Sequence, residues 1–138
     1  MDADFRRVAM RGYYEGAVDY FTNKTGVYMP EPPENIALVC GENLSVQAQW
    51  TTPTIGPAPS SYRVYYSKHP HCYKDYVEVA APATGAEIGS LDPNEVYYFQ
   101  LRSENTGGLS MQSETLAAMV SDASDVRKVL LVNGFDRF

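Results

Sequence analysis

Leu91-Asp92-Pro93-Asn94-Glu95-Val96-Tyr97-Tyr98-Phe99-Gln100-Leu101-Arg102-Ser103-Glu104-Asn105 reads as a turn running into a strand. Asp, Pro and Asn in succession supply turn chemistry. Tyr97, Phe99 and Leu101 then alternate with Tyr98, Gln100 and Arg102, the period-two pattern of a strand with one buried face. Tyr97 stands just after the turn and six residues beyond Leu91. That spacing is the mark of a tyrosine corner, in which the ring packs into a sandwich core and the hydroxyl bonds back to backbone a few residues upstream. It predicts a two-sheet, all-β domain with Tyr97 inside.

Working outward, Ile36, Leu38 and Cys40 give a first strand, and Gly41-Glu42-Asn43 a turn. Leu44, Val46, Ala48 and Trp50 alternate with Ser45, Gln47 and Gln49, which predicts a second, half-buried strand. A long loop with Pro53, Gly56, Pro57 and Pro59 leads to a strand over 62–66, with Tyr62, Val64 and Tyr66 facing in. Further strands are expected over 76–79, 86–88, 97–102 and 113–120, with Asn105-Thr106-Gly107-Gly108 as the turn before the last. Seven short strands with Pro and Gly punctuation suit a sandwich of about 100 residues.

Pro32-Pro33, Trp50, Tyr62-x-Val64-x-Tyr66, Leu91-x-Pro93-x-x-x-Tyr97, Asn105 and Gly107 together resemble a fibronectin type III module over residues 31 to about 120. The resemblance implies a seven-stranded, immunoglobulin-like β-sandwich, here with an N-terminal helix. The chain departs from the pattern in the long loop His69-Pro70-His71-Cys72-Tyr73 and in the outward Tyr98. It contains no Arg-Gly-Asp, so integrin-type adhesion has no support. In this fold Cys40 and Cys72 fall at the same pole, so a disulfide between them and two unpaired thiols are both open readings.

Composition narrows the partners. The 138 residues are 44% hydrophobic and 20% charged, which suits a globular chain, and carry a net charge of −6 with Lys and Arg scattered. Nucleic acid is therefore not an expected partner. No apolar run reaches the ~18 residues of a membrane-spanning helix, so membrane insertion is not expected. Asp2 to Arg11 is too charged for a signal peptide, and no apolar core follows it.

The domain reading has three parts. Residues 1–28 are expected to form a helix, the end of a preceding domain: Phe5, Ala9, Tyr13, Ala17 and Tyr20 recur at helical spacing, with Asn23 to Gly26 as a stop. Their aromatic stripe is too broad for one helix to bury alone. Residues 29–120 are the sandwich, entered through the Pro-rich stretch Met29–Pro33, which reads as a semi-rigid linker. Residues 121–138 read as a linker and the first strand of a following, truncated domain, because Lys128-Val129-Leu130-Leu131-Val132-Asn133-Gly134 resembles a buried parallel strand. The order helix, sandwich, strand is similar to that in large secreted proteins of Bacteroidetes-type bacteria, where such a module lies between an N-acetylmuramoyl-L-alanine amidase-like domain and an α/β domain. Tyr13 to Phe21 resembles the closing helix of such an amidase. That likeness implies flanking domains of the same polypeptide as partners, a polysaccharide or peptidoglycan context, and an extracellular, periplasmic or cell-surface address.

No reactive constellation emerges. His69, His71 and Cys72 are types that ligate zinc, but a fourth ligand is missing nearby and Pro70 stiffens the loop. Asp92 and Glu95 belong to a turn, and Gly107-Gly108 to a hairpin rather than a phosphate loop. No catalytic residue, metal or cofactor is expected. The binding candidates are outward tyrosines: Tyr65 and Tyr98, on strands that neighbour each other in this fold, with Tyr73 and Tyr76 extending the patch. Tyrosine joins apolar area to a hydroxyl, as docking surfaces do. Three uses stand open: docking of a neighbouring element, a carbohydrate platform, or ordinary cross-strand pairing. These features point to a non-catalytic spacer or interaction module, with carbohydrate binding by the outward tyrosines as the alternative.

Overall fold

The computed structural model describes residues 3–22 and 27–122. Helix α1 (Ala3–Thr22) precedes eight strands: β1 (Glu34–Cys40), β2 (Val46–Thr51), β3 (Ser61–Ser67), β4 (Asp75–Ala80), β5 (Gly85–Ile88), β6 (Val96–Asn105), β7 (Gly108–Leu109) and β8 (Leu116–Met119). One sheet has the order β1-β2-β5; the other runs β4-β3-β6-β7, with β8 also pairing β6. Every pairing is antiparallel.

Alternation decides which face each strand buries. Val46, Ala48 and Trp50 point inward from β2, Tyr62 and Val64 from β3, and Tyr97, Phe99 and Leu101 from β6. Ile88, Leu91 and Val120 complete the core, with Ile36, Leu38 and Tyr66 packed at its margin. The Trp50 and Tyr62 rings meet across the two sheets at 5.2 Å. The Tyr62 hydroxyl escapes the apolar interior by donating to Thr52 Oγ1 at 2.9 Å. The inward phase expected from the sequence therefore holds on all three central strands.

The tyrosine corner is present. The Asp92 N–H donates to the Tyr97 hydroxyl at 3.2 Å, and that hydroxyl donates to Asp92 Oδ2 at 3.3 Å. Asn94, at φ 62°, occupies the left-handed region that Asn tolerates better than most residues. Its N–H donates to the Val120 carbonyl at 2.7 Å, and the Leu91 N–H to the Leu44 carbonyl at 3.1 Å. One corner thus ties together the β1–β2 turn and the end of β8. Tyr97→Phe should cost about 1 kcal/mol, the usual net value of one hydrogen bond, read as a lower urea midpoint at unchanged slope.

Two strand boundaries differ from the sequence pattern. The second strand begins at Val46 rather than Leu44, because Asn43 and Leu44 both take positive φ in the turn. Gly41 closes that turn, and a Cβ there would stand 2.5 Å from Ser45 Oγ, so only glycine fits without a shift. The expected last strand over 113–120 is shorter, β8 (Leu116–Met119), and an additional two-residue strand, β7 (Gly108–Leu109), precedes it, which makes eight strands rather than seven. Between them, the Ser110 and Ser113 N–H groups still donate to the Ser103 and Leu101 carbonyls, but serine hydroxyls take the reciprocal acceptor positions. The Ser103 N–H donates to Ser110 Oγ at 3.0 Å and the Leu101 N–H to Ser113 Oγ at 2.9 Å. Ser113→Ala should cost roughly 1–3 kcal/mol, because the Leu101 N–H loses its acceptor; a chevron or equilibrium denaturation series measures this.

The ends of the sandwich lie at opposite poles. Cys40 Sγ donates to the Met119 carbonyl at 3.4 Å, so β1 and β8 finish side by side. The β1 start at Glu34 is then six residues away, roughly 20 Å at ~3.3 Å per residue. A bulge between Glu34 and Ala37 marks this entrance, with Asn35 at φ 50°. Asn35 Nδ2 donates to Thr51 Oγ1 at 3.1 Å, and Thr51 Oγ1 donates to the Glu34 carbonyl at 3.0 Å. Pro30 and Pro33, expected in a linker, are buried. Cys40 and Cys72 are free, exposed thiols. Cys40 does not join Ile36 and Leu38 against the core, because it closes an edge strand at the pole.

Residues 29–123 and the segment containing α1 form separate units. Within α1, Arg11 and Glu15 form an ion pair one turn apart at 2.7 Å. Tyr28 donates to Asp19 Oδ1 at 2.6 Å and meets the Tyr14 ring edge-on. Phe5, Val8, Tyr13, Tyr20 and Phe21 remain exposed. No helix among the described residues is long and apolar enough to cross a membrane. The expected helix stop at 23–26 and the apolar run at 128–134 lie outside the described residues.

Candidate binding face

Because Tyr62, Val64, Phe99 and Leu101 point inward, their neighbours Arg63, Tyr65, Tyr98, Gln100 and Arg102 point outward from β3 and β6. Cross-strand register then sets their company. Tyr65 pairs with Tyr76 on β4 and with Gln100 on β6. The Tyr65 and Tyr76 rings lie 5.2 Å apart at 46°. Tyr98 stands one step along, opposite Ser67 and Ala117. The structure thus brings Tyr65 and Tyr76 into ring contact, whereas Gln100 fills the position on β6 directly beside Tyr65.

Arg63 and Arg102 face each other across β3 and β6, a like-charge pairing that would ordinarily be unfavourable. Each is drawn to a different partner. Arg63 Nη2 meets Glu104 Oε2 at 2.7 Å, its Nε lies 3.6 Å from Glu78, and its guanidinium sits 4.9 Å from the Tyr76 ring centre. Tyr65 and Glu104 hold the Arg63 pKa above its already high ordinary value. Arg102 Nε instead donates to the Ser110 carbonyl at 2.8 Å.

Beside this network lies an open groove of about 380 Å³, lined by Tyr65, His71, Tyr73, Gln100, Arg102 and Gln112. The β3–β4 loop supplies His71 and Tyr73; the segment between β7 and β8 supplies Gln112. Of the four sequence candidates, Tyr65 and Tyr73 line the groove, while Tyr76 and Tyr98 flank it. Burial pushes the Tyr73 hydroxyl above its ordinary pKa. Gln100 Nε2 is spent on Thr115 Oγ1 at 2.7 Å. Alternation marked Gln100 and Arg102 as outward, but nothing periodic marks His71 or Gln112, which sit on irregular segments. Among the described residues no group of three His, Cys, Asp or Glu side chains converges.

A second polar link ties the β3–β4 loop to the tyrosine corner. Lys68 Nζ meets Asp92 Oδ2 at 2.7 Å and lies 5.7 Å from the Tyr97 ring centre. Lys68, with help from the Tyr97 hydroxyl, holds the Asp92 carboxyl below its ordinary range, and Asp92 raises the Lys68 ammonium. A depressed carboxyl stabilises the fold above its unfolded pKa, and that stability disappears as pH falls through the folded one. Urea midpoints should therefore fall more steeply on acidification below about pH 4 in the parent chain than in Asp92→Asn. Parallel slopes would show the link to be energetically silent.

The comparisons follow from this architecture. Solved structures of similar shape include a fibronectin type III domain of human contactin 1 (TM-score 0.62, 18% identity, covering 76% of this chain and 90% of that one). The third fibronectin III domain of human KIAA0343 protein gives TM-score 0.61 at 17% identity over 76% of this chain and 94% of that one. The twitchin kinase region of C. elegans, which joins such a module to a kinase and an Ig module, gives 0.62 at 18% over 72% of this chain and 18% of that one. At such identities the likeness speaks to fold. A sequence comparison with curated proteins finds no match. Domains of this class are generally non-catalytic modules in multidomain polypeptides. The family model for the fibronectin type III domain matches residues 31–119, the two-sheet sandwich with its tyrosine corner, and the chain belongs to that family.

Proposed function

We propose that the chain is a non-catalytic spacer and interaction module that orients flanking domains of a secreted or cell-envelope bacterial protein, itself a cell-wall- or polysaccharide-active enzyme. The observation that carries this reading is the placement of the sandwich ends. The chain enters β1 at one pole and leaves β8 at the other, where Cys40 meets Met119 and Asn94 holds Val120. A rigid core between two such ends sets a distance and an orientation. The envelope address and the amidase-type neighbour rest on the likeness of Tyr13 to Phe21 and on domain order. Residues 29–122 alone should fold and melt in one cooperative transition, since every described member of the core lies within them. Failure of that polypeptide to fold would make the termini part of the domain and refute the reading.

A second reading, a carbohydrate-binding face, is favoured by the groove that places Tyr65 and Tyr73 together with two amides. Isotope-edited spectra of the chain titrated with soluble polysaccharide or peptidoglycan fragments test it. Shifts at the groove residues support it, and an unchanged spectrum at millimolar ligand removes it.

A further inference from the structure

Resting on the carbohydrate reading, the geometry points to a carboxylate-bearing sugar as the ligand of the Tyr65–Gln112 groove, with Arg102 reading the carboxylate. The volume of 380 Å³ lies within the ~300–1,000 Å³ of small-ligand sites and is large enough for one or two sugar rings. None of its six lining residues is acidic, on a chain of net charge −6. The local exception to an acidic surface has a structural cause. Glu78 and Glu104, the carboxylates on this face, are both committed to Arg63. Among the described residues Arg102 is left without a carboxylate partner. Its Nε donates to the Ser110 carbonyl, which fixes the plane of the guanidinium and leaves the two Nη groups for a ligand. A guanidinium fixed in this way suits two parallel bonds to a carboxylate.

The other lining groups match a sugar body. Gln100 has its amide N–H turned to Thr115, so its Oε1 remains as an acceptor for a hydroxyl. Gln112 is exposed and offers both donor and acceptor to the groove. Tyr65 is braced from behind by Tyr76 at 5.2 Å, which holds its ring at the groove wall at little entropic cost on binding. Carboxylate recognition, hydroxyl recognition and an aromatic wall thus converge from β3, β6 and two connecting segments.

The test uses the full chain with oligogalacturonate and oligoglucuronate, their methyl esters, and a neutral gluco-oligosaccharide, followed by calorimetry and isotope-edited spectra. The uronates should bind with shifts at Tyr65, Gln100, Arg102 and Gln112, and the esters should bind at least tenfold more weakly. Arg102→Gln should lose at least tenfold for the acid and nothing for the ester. Gln112→Ala, which touches no ladder bond, should weaken both forms while leaving the melting temperature unchanged, so a folding defect cannot mimic the result. Equal binding of acid, ester and neutral sugar would overturn the carboxylate inference and leave the carbohydrate reading standing. No binding of any sugar would overturn both.

Discussion

Trp50→Ala should leave the sandwich largely unfolded at 37 °C. Trp50 is 4% exposed, near the end of β2, with Val46 and Ala48 on the same face and Tyr62 against its ring. Truncation removes a large apolar side chain and leaves a cavity that the two hydrogen-bonded sheets cannot close, at about 3–5 kcal/mol. A domain of this size has only ~5–15 kcal/mol in total. The indole Nε1 is buried with no hydrogen-bond partner among the described residues, so the cost of the substitution is one of packing. Trp50→Phe should therefore recover most of the stability, because what the site requires is volume. Equilibrium denaturation at neutral pH decides this. A loss below 1 kcal/mol for the alanine variant would mean that β2 does not face the core.

Phe99→Ala should be comparably damaging and should also disturb the outer face. Phe99 is fully buried on β6, level with Tyr66 on β3 and Leu116 on β8. Its loss costs about 3–5 kcal/mol by the same transfer and cavity terms. Tyr98 and Gln100 flank it on the strand and owe their outward direction to its inward one. The variant should thus show lower stability together with spectral changes at Gln100 and Thr115, whose side chains are bonded at 2.7 Å. Tyr65→Ala, by contrast, should leave stability nearly unchanged while altering the groove. If the two variants behaved alike, the division between core and face would be wrong.

Much of the fold was legible because the central strands alternate strictly. Val46–Trp50, Tyr62–Val64 and Tyr97–Leu101 each carry a pattern that only one phase satisfies, and Leu91-x-Pro93-x-x-x-Tyr97 supplies the corner that joins the sheets. The last strand is shorter than its pattern because the Ser110 and Ser113 hydroxyls take acceptor positions that carbonyls hold in a regular ladder, and nothing in a hydropathy pattern distinguishes that use of serine from a strand's exposed face. Leu44 escapes the pattern for a related reason: its side chain fits the alternation, but its φ of 56° belongs to a turn.

The candidate site was legible only in part. Period-two reading identifies Tyr65, Gln100 and Arg102 as outward, yet it says nothing of register. Register is what sets Tyr76 rather than Tyr98 against Tyr65. The groove also needs His71, Tyr73 and Gln112, which irregular segments deliver, and loops carry no periodicity from which to place a side chain.

A spin-label distance across the poles reads whether the sandwich holds its two ends apart at a fixed separation. Labels at Glu31→Cys and Asp122→Cys, in a Cys40→Ser, Cys72→Ser background, bracket the first and last strands of the full chain. Buried prolines at 30 and 33 and the Asn94–Val120 bond fix the lead-in and the exit. The labels should report one narrow distance, longer than the roughly 20 Å spanned by β1 itself. A broad distribution, or a short distance that places both ends at one pole, would contradict it.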